Sequence, residues 1–235
     1  MNNGWDRSAS SWIAAMGEQG DWGREHVLDP IMLKRATAQR FERALDVGCG
    51  EGRFCRMLRA KGIPVVGIDP TEELLAAARR RDAMGEYQIA RAESLPFPDA
   101  SFDLVVSYLT LIDIADFRTA LKEMVRVLTP KGALLIANLN SFITSCPGGW
   151  IKDQHGRYLH YPVDRYLEEF PEWVEWSGIR IENWHRPLSS YIQELLAQGL
   201  TPRSSTSRNR NLATMSARRD TAALLGSLSW NGNAN

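Results

Sequence analysis

The sequence predicts an α/β fold, a doubly wound and mostly parallel sheet with helices on both faces. Two observations carry this. Residues 43–140 alternate short apolar runs with amphipathic stretches, the pattern of strand–helix units that feed a parallel sheet. The first unit reads strand, glycine turn, helix: Ala44, Leu45 and Val47 are followed by Gly48, Gly50 and Gly52, then by Phe54, Cys55 and Leu58 at helical spacing. Glycine permits positive φ and lets backbone approach a ligand without an intervening Cβ. The helix that follows offers unpaired N–H groups at its start. A ligand is therefore expected across the top of this strand.

The spacing argues against a dinucleotide. That fingerprint places its third glycine three residues after the second, where this chain has Arg53. The pattern here is G-x-G-x-G, preceded by Asp46. The second apolar run, 64–68, ends in Asp69, a carboxylate that can accept both hydrogens of a ribose diol. LDVGCGEG together with GIDP resembles the class I S-adenosylmethionine-dependent methyltransferases, in the branch that acts mostly on small molecules (methyltransferase type 11-like). The likeness covers residues 40–140 closely and 5–39 and 150–200 more loosely. It implies a Rossmann-like sheet and S-adenosyl-L-methionine as the cofactor.

In order along the chain, residues 5–40 read as irregular helix, broken by the glycines of 17–23. The helical pattern resumes over 24–41, and Pro30 is tolerated if it opens a new helix after Asp29. The family resemblance implies that this arm, 1–42, folds over the cofactor. Arg24 would then pair with the methionine carboxylate; otherwise it is a solvated arginine beside a loop. In the core, 43–140, strands are expected at 44–47, 65–69, 87–91, 102–107 and 133–138. Helices are expected at 53–61, from Pro70 onward, and at 116–128, with a turn at 129–132. Pro70 opens the second of these helices. Residues 92–98 resemble the loop that flanks adenine in the family. Glu93 or a backbone carbonyl would accept from the adenine amino group, and Ala92 or Leu95 would wall the ring. Tyr108 and Leu109 leave the carboxyl end of the fourth strand, where ligands sit in open sheets.

Residues 141–201 carry Trp150, Tyr158, Tyr161, Tyr166, Trp173, Trp176 and Trp184 and end in a helix at 191–198. Such a stretch is either core beneath a loop or the wall of an aromatic or apolar substrate site. The resemblance, which places capping insertions after strand five, favours the wall. His185 is the candidate catalytic base, because imidazole titrates near neutral pH; His155, His160, Tyr161 and Asp164 are weaker alternatives. The tail, 202–235, is polar and rich in Ser and Arg, and it reads as disordered. The closing antiparallel hairpin that the family supplies is expected to be missing or altered. Permitted codons read one base out of frame can spell AIFDEPEPEPGDDER over 202–217 and AWFLVMERERQ over 224–235, an acidic loop and an apolar strand. The tail is thus read as translated out of frame from about Thr201.

Composition bounds the function. The 235 residues suffice for one α/β domain with a core, and 44% apolar content suits a globular chain. A net charge of zero gives no support to a nucleic-acid partner. Three cysteines, Cys49, Cys55 and Cys146, fit a reducing cytoplasm without a disulfide framework. No apolar run suits a secretion signal or membrane span, and no metal cluster is expected. The reading is methyl transfer to a small apolar or aromatic molecule. Two other classes compete. A nucleic-acid or protein methyltransferase calls for a basic face or an N/D-P-P-Y/F motif after strand four, where this chain has Ser107–Tyr108–Leu109–Thr110. A cofactor-binding protein without catalysis would bind and not turn over.

Overall fold

A computed structural model describes residues 3–146, 148–208 and 225–232. The chain opens with helix α1 (Trp5–Met16), a π-helical turn (Arg24–Leu28) and α2 (Asp29–Ala36). Pro30 lies in the first turn of α2, where its missing N–H costs nothing. The helix stops at Ala36 rather than running to 41, and Thr37 closes it by donating its hydroxyl to the Leu33 carbonyl at 2.8 Å. The core follows as β1 (Ala44–Val47), α3 (Arg53–Ala60), β2 (Val65–Asp69), α4 (Glu72–Arg81), β3 (Glu86–Ile89) and β4 (Phe102–Tyr108). A 3₁₀ turn (Leu111–Asp113), α5 (Phe117–Arg126) and β5 (Leu128–Leu139) complete it.

The sheet has the order β3-β2-β1-β4-β5 with every pair parallel. Both faces of β1 and β2 are covered, so their sequences are apolar almost throughout. On one face α5 packs Phe117, Ala120, Leu121 and Met124 against Leu45, Val47, Val105 and Ile136. On the other, Leu28, Met32, Phe54, Cys55, Leu58 and Leu75 cover Ala44, Leu104 and Val106. Each such leucine or phenylalanine contributes about 1.5–3 kcal/mol by leaving water. Asp116 caps α5 by accepting from the Thr119 N–H at 3.0 Å.

The turn expected at 129–132 lies within β5 instead. Lys131 has φ +69°, and the pairing jumps from Phe102 opposite Leu128 to Leu104 opposite Ala133. The four residues form an irregularity inside one long strand.

The stretch after β5 comprises α6 (Ser141–Thr144), β6 (Ile151–Lys152), β7 (Tyr158–His160), β8 (Phe170–Trp176) and β9 (Ile179–His185). β6 pairs with β7 and β8 with β9, giving two small hairpins outside the main sheet. The helix α7 (Leu188–Ala197) returns the chain and packs Tyr191 and Leu195 against the α5 face.

The expectation of a missing hairpin is overturned. β10 (Leu200–Arg208) and β11 (Leu225–Gly232) pair antiparallel with each other, and β11 pairs antiparallel with β5 from Ala133 to Leu139. The free edge of β5 offers a row of N–H and C=O groups, and this pairing is made by backbone that polar residues carry as well as apolar ones. Pro202 has no N–H and sits in the outermost strand, beside the register shift between Pro202 and Ser204. The rest of the tail reading falls on 209–224 and 233–235, outside the described residues.

Candidate functional site

The glycine turn leaves the carboxyl end of β1. Gly48, Gly50 and Gly52 all have positive φ, at +75°, +55° and +75°. A Cβ on Gly48 would lie 2.2 Å from Thr110 Cγ2, so the two loops at the ends of β1 and β4 touch there. A Cβ on Gly50 would meet nothing within 4 Å. That open backbone is where a ligand can lie against the chain.

Asp69 ends β2 beside this turn. Its two oxygens accept from the N–H groups of Gly50 at 3.0 Å and Thr71 at 2.9 Å. Each oxygen keeps a second lone pair for a diol. Burial pushes its pKa up to about 6, against the pull of the hydrogen bonds from Thr71 and Gly50. Asp46 lies beneath the turn and is 1% exposed. The Cys55 thiol donates to its Oδ2 at 3.3 Å, while its Oδ1 has no partner. Burial raises this carboxyl to about 7.

The arm closes over the turn. The Trp12 indole donates to Glu51 Oε2 at 3.0 Å, and Glu51 is itself buried. The Arg24 guanidinium lies over the Trp12 ring, 4.8 Å from its centre, and pairs with Asp21. Beneath, Arg53 makes a two-pronged pair with Asp29 at 2.6 and 3.0 Å. The Tyr108 hydroxyl donates to the same carboxylate at 2.7 Å. Tyr108 therefore buttresses the turn from below, and its ring meets Phe54 edge-on. Leu109 takes φ +59° as the chain leaves β4. Ala92 and Leu95 are buried after β3, with Leu95 N–H held by Glu123 at 2.8 Å; Glu93 is half-buried and pairs with Arg91. Pro70 is exposed beside Asp69.

The structure therefore brings Arg24, Asp46, Gly48, Gly50, Gly52 and Asp69 to one end of the sheet. Gly50's open backbone, the diol-ready carboxylate of Asp69 and the unpartnered oxygen of Asp46 fit an adenosyl amino acid.

His185 differs from expectation. It is 1% exposed. Its Nε2 faces the Tyr166 carbonyl at 3.0 Å, so that nitrogen carries the hydrogen, and its Nδ1 lies 2.7 Å from the Thr144 hydroxyl, which donates to it. Burial lowers its pKa. With both nitrogens engaged, no free position faces a substrate. Among the alternatives, His155, His160 and Asp164 are exposed, and the Tyr161 hydroxyl contacts the carbonyls of Ile143 and Cys146.

Several residues escaped the sequence reading. Glu51 stands inside the glycine turn and could have been suspected from its place. Trp12, Asp113 and Asn183 meet their side-chain partners through contacts distant in sequence, and so does Thr144 in reaching His185. Among the described residues no group of His, Cys, Asp and Glu is arranged to hold a metal ion, and no helix is long and apolar enough to cross a membrane.

A sheet of this order, with a glycine turn after β1 and a carboxylate after β2, defines a class I methyltransferase fold. The model of the methyltransferase domain family matches residues 45–136. Demethylmenaquinone methyltransferase of Thermus thermophilus is 42% identical over 180 residues, which is 68% of this chain and 78% of that enzyme. Malonyl-[acyl-carrier protein] O-methyltransferase of Serratia marcescens is 35% identical over 133 residues, 57% of this chain. The chain spans half the length of that relative. A crystal structure of an S-adenosylmethionine-dependent methyltransferase from Mesorhizobium loti superposes with a TM-score of 0.72 at 28% identity, covering 86% of this chain and 96% of its own. The chain belongs to the S-adenosylmethionine-dependent methyltransferases.

Proposed function

We propose that this protein transfers the methyl group of S-adenosylmethionine to a small apolar or aromatic acceptor. The observation that carries the acceptor class is the aromatic cap. α6 follows directly on the carboxyl end of β5, and there Phe142 stacks on Tyr166 with ring centres 5.0 Å apart while remaining half exposed. Trp150 meets Tyr158 and Tyr161 edge-on, both at 5.6 Å. Such walls hold an apolar ring and exclude water.

When bound, the cofactor supplies a methyl group on a positively charged sulfur. The backbone at Gly48, Gly50 and Gly52 lies against it, and Asp69 accepts from the ribose hydroxyls. Arg24 meets its carboxylate by exchanging Asp21 for a second anion. Ala92 and Leu95 wall the adenine, Glu93 accepts from its amino group, Pro70 and Leu109 bound the sides, and Tyr108, expected from the sequence at the cofactor itself, instead supports the turn from below. The chain's main contribution is alignment of donor and acceptor in a dry site. The Thr144–His185–Tyr166 chain fixes the first turn after β5, which sets the position of Phe142.

The experiment begins with calorimetry of S-adenosylmethionine binding. Asp69→Ala is expected to weaken binding by about 1–3 kcal/mol, the loss of charge-assisted hydrogen bonds. Labelled-methyl transfer is then measured across small aromatic and apolar acceptors and across carrier proteins. Transfer to a small acceptor supports the reading. Transfer only to a protein, or binding without transfer to any acceptor, overturns it.

A further inference from the structure

Asp113 ends the 3₁₀ turn that leaves the carboxyl end of β4, the end at which the glycine turn and Asp69 also lie. Two distant parts of the chain, the start of α1 and residues 183–186, converge on it. The Asn183 amide of β9 donates to its Oδ1, and Trp5 at the start of α1 stands close to the same carboxyl. Arg186, buried to 1% exposure, fixes the backbone on both sides of it. Its guanidinium donates to the carbonyls of Leu111 at 3.1 Å, Ile114 at 2.6 Å and Ala115 at 2.9 Å. The rings of Phe117 and Trp184 hold that guanidinium, at 4.5 and 4.9 Å. The carboxyl is thus held rigidly, by neutral groups, at the junction of arm, core and cap.

The charged groups facing it come from other elements. Asp69, at the end of β2, and Arg24, from the arm, are both near enough to act on it electrostatically. Its own turn contributes no other charge, α1 and β9 meet it with the neutral Trp5 and Asn183, and the guanidinium of Arg186 is held by backbone carbonyls and lies 3.8 Å from Glu169. The turn that carries Asp113 packs against the glycine turn: a Cβ on Gly48 would meet the Thr110 side chain, and the Asp113 N–H donates to the Thr110 carbonyl at 2.9 Å. It is half-buried, and desolvation holds its carboxyl well above the usual range. Arg24 offsets only part of that burial, so an acid kept in such a place is costly, and such groups gather at working sites.

We propose that Asp113 is the catalytic residue that takes up the acceptor's proton, an inference that rests on the methyltransferase reading above. The acceptor is then of the class bearing a hydrogen on its nucleophilic oxygen or nitrogen. The balance is complete without a further reagent. A lone pair of the acceptor atom forms the bond to the methyl carbon, and the pair of the broken carbon–sulfur bond stays on sulfur, which becomes a neutral thioether. The pair of the acceptor's O–H or N–H bond stays on the acceptor, and the proton moves to a carboxylate oxygen of Asp113 and on to water. The charge relation follows. A cationic sulfur in the cleft favours the ionised carboxylate, and a neutral thioether does not, so Asp113 is a base when the donor is present and releases that role when the product is.

The test needs no acceptor. Calorimetry of the full chain with S-adenosylmethionine and with S-adenosylhomocysteine, each in two buffers of different ionisation enthalpy near neutral pH, counts protons exchanged on binding. The wild type is expected to release more protons with the methyl donor than with the product. Asp113→Asn should lose that difference and weaken the methyl donor relative to the product, while Asp113→Glu retains both. A tie between arm and cap with no proton role would leave the difference intact in Asp113→Asn, which overturns the proposal, as does a wild type that shows no difference. Should Asp113→Asn not fold, Asn183→Ala decides. It removes one donor from the carboxylate and should move the pH of greatest release upward; an unmoved pH overturns the proposal. Failure of the wild type to bind either ligand is a separate result and strikes the methyltransferase reading itself.

Discussion

Replacing Asp46 by asparagine tests the electrostatics beneath the glycine turn. Asp46 is 1% exposed, its Oδ1 has no partner, and its Oδ2 accepts only from the Cys55 thiol at 3.3 Å. Burial raises its carboxyl from 3.8 to about 7. Below about pH 4 the folded and unfolded chains both hold the proton. Between that point and about pH 7 the unfolded chain has lost it and the folded chain has not, so stability falls as pH rises. Above about pH 7 the whole cost is present. At about 1.36 kcal/mol per pKa unit, the step to about 7 amounts to roughly 4 kcal/mol. The residue is too buried for solvent to reduce that figure much. The amide that replaces the carboxyl in Asp46→Asn carries no charge, so this slope should vanish while the smaller one from Asp69, whose pKa is about 6, remains in both proteins. Urea unfolding followed by circular dichroism at several values from about pH 4.5 to pH 8 would measure it. The wild type should lose stability relative to Asp46→Asn by a few kcal/mol across that window. Parallel curves would refute the reasoning, since they would mean that Asp46 is ionised at no unusual cost.

Two glycines of the same turn should behave differently. Gly48→Ala puts a Cβ 2.2 Å from Thr110 Cγ2 at φ +75° and should lower stability by about 2–4 kcal/mol in thermal or urea unfolding. Gly50→Ala enters open space at φ +55° and should cost only about 1–2 kcal/mol, yet weaken S-adenosylmethionine binding in calorimetry; unchanged affinity would remove Gly50 from the site. Arg186→Met should cost about 2–5 kcal/mol, because three buried carbonyls lose their donor, and a urea midpoint near that of the wild type would show that the turn holds itself. His185→Ala should lower the melting temperature while leaving cofactor affinity within about twofold; a fall in turnover without a fall in stability would return the ring to the role of base.

The core was legible because its signals are local. LDVGCGEG places strand, turn and helix within a dozen residues, and β1, α3 and β2 fall within a residue of where periodicity puts them. Asp69 was visible because a carboxylate ending an apolar run is rare in sequence. His185 was visible as a residue type but misjudged in role, since nothing local shows that the Tyr166 carbonyl and the Thr144 hydroxyl will take its two nitrogens. Asp113 was overlooked for the same reason. Within Leu111–Ile112–Asp113 it looks like a polar residue closing a turn, and its meaning comes from Trp5 and Asn183, which are 108 and 70 positions away.

The closing hairpin shows what composition omits. The tail was read as disordered because Ser, Arg and Asn cannot supply apolar faces to two strands. That reasoning weighs side chains alone. β5 is central in the sheet only if something covers its second edge, and from Ala133 to Leu139 that edge holds backbone donors and acceptors that must find partners or remain in water. Leu225–Gly232 supplies them and is itself paired with Leu200–Arg208, although the latter includes Pro202 and the two contain five serines between them. The edge of β5 thus sets the topology here, and the composition of the partner strands bears instead on how firmly they are held. Hydrogen exchange separates the two statements. Slow exchange across Ala133–Leu139 with fast exchange in 225–232 would mean that β5 is protected without its partner, and the pairing would then contribute little to the sheet.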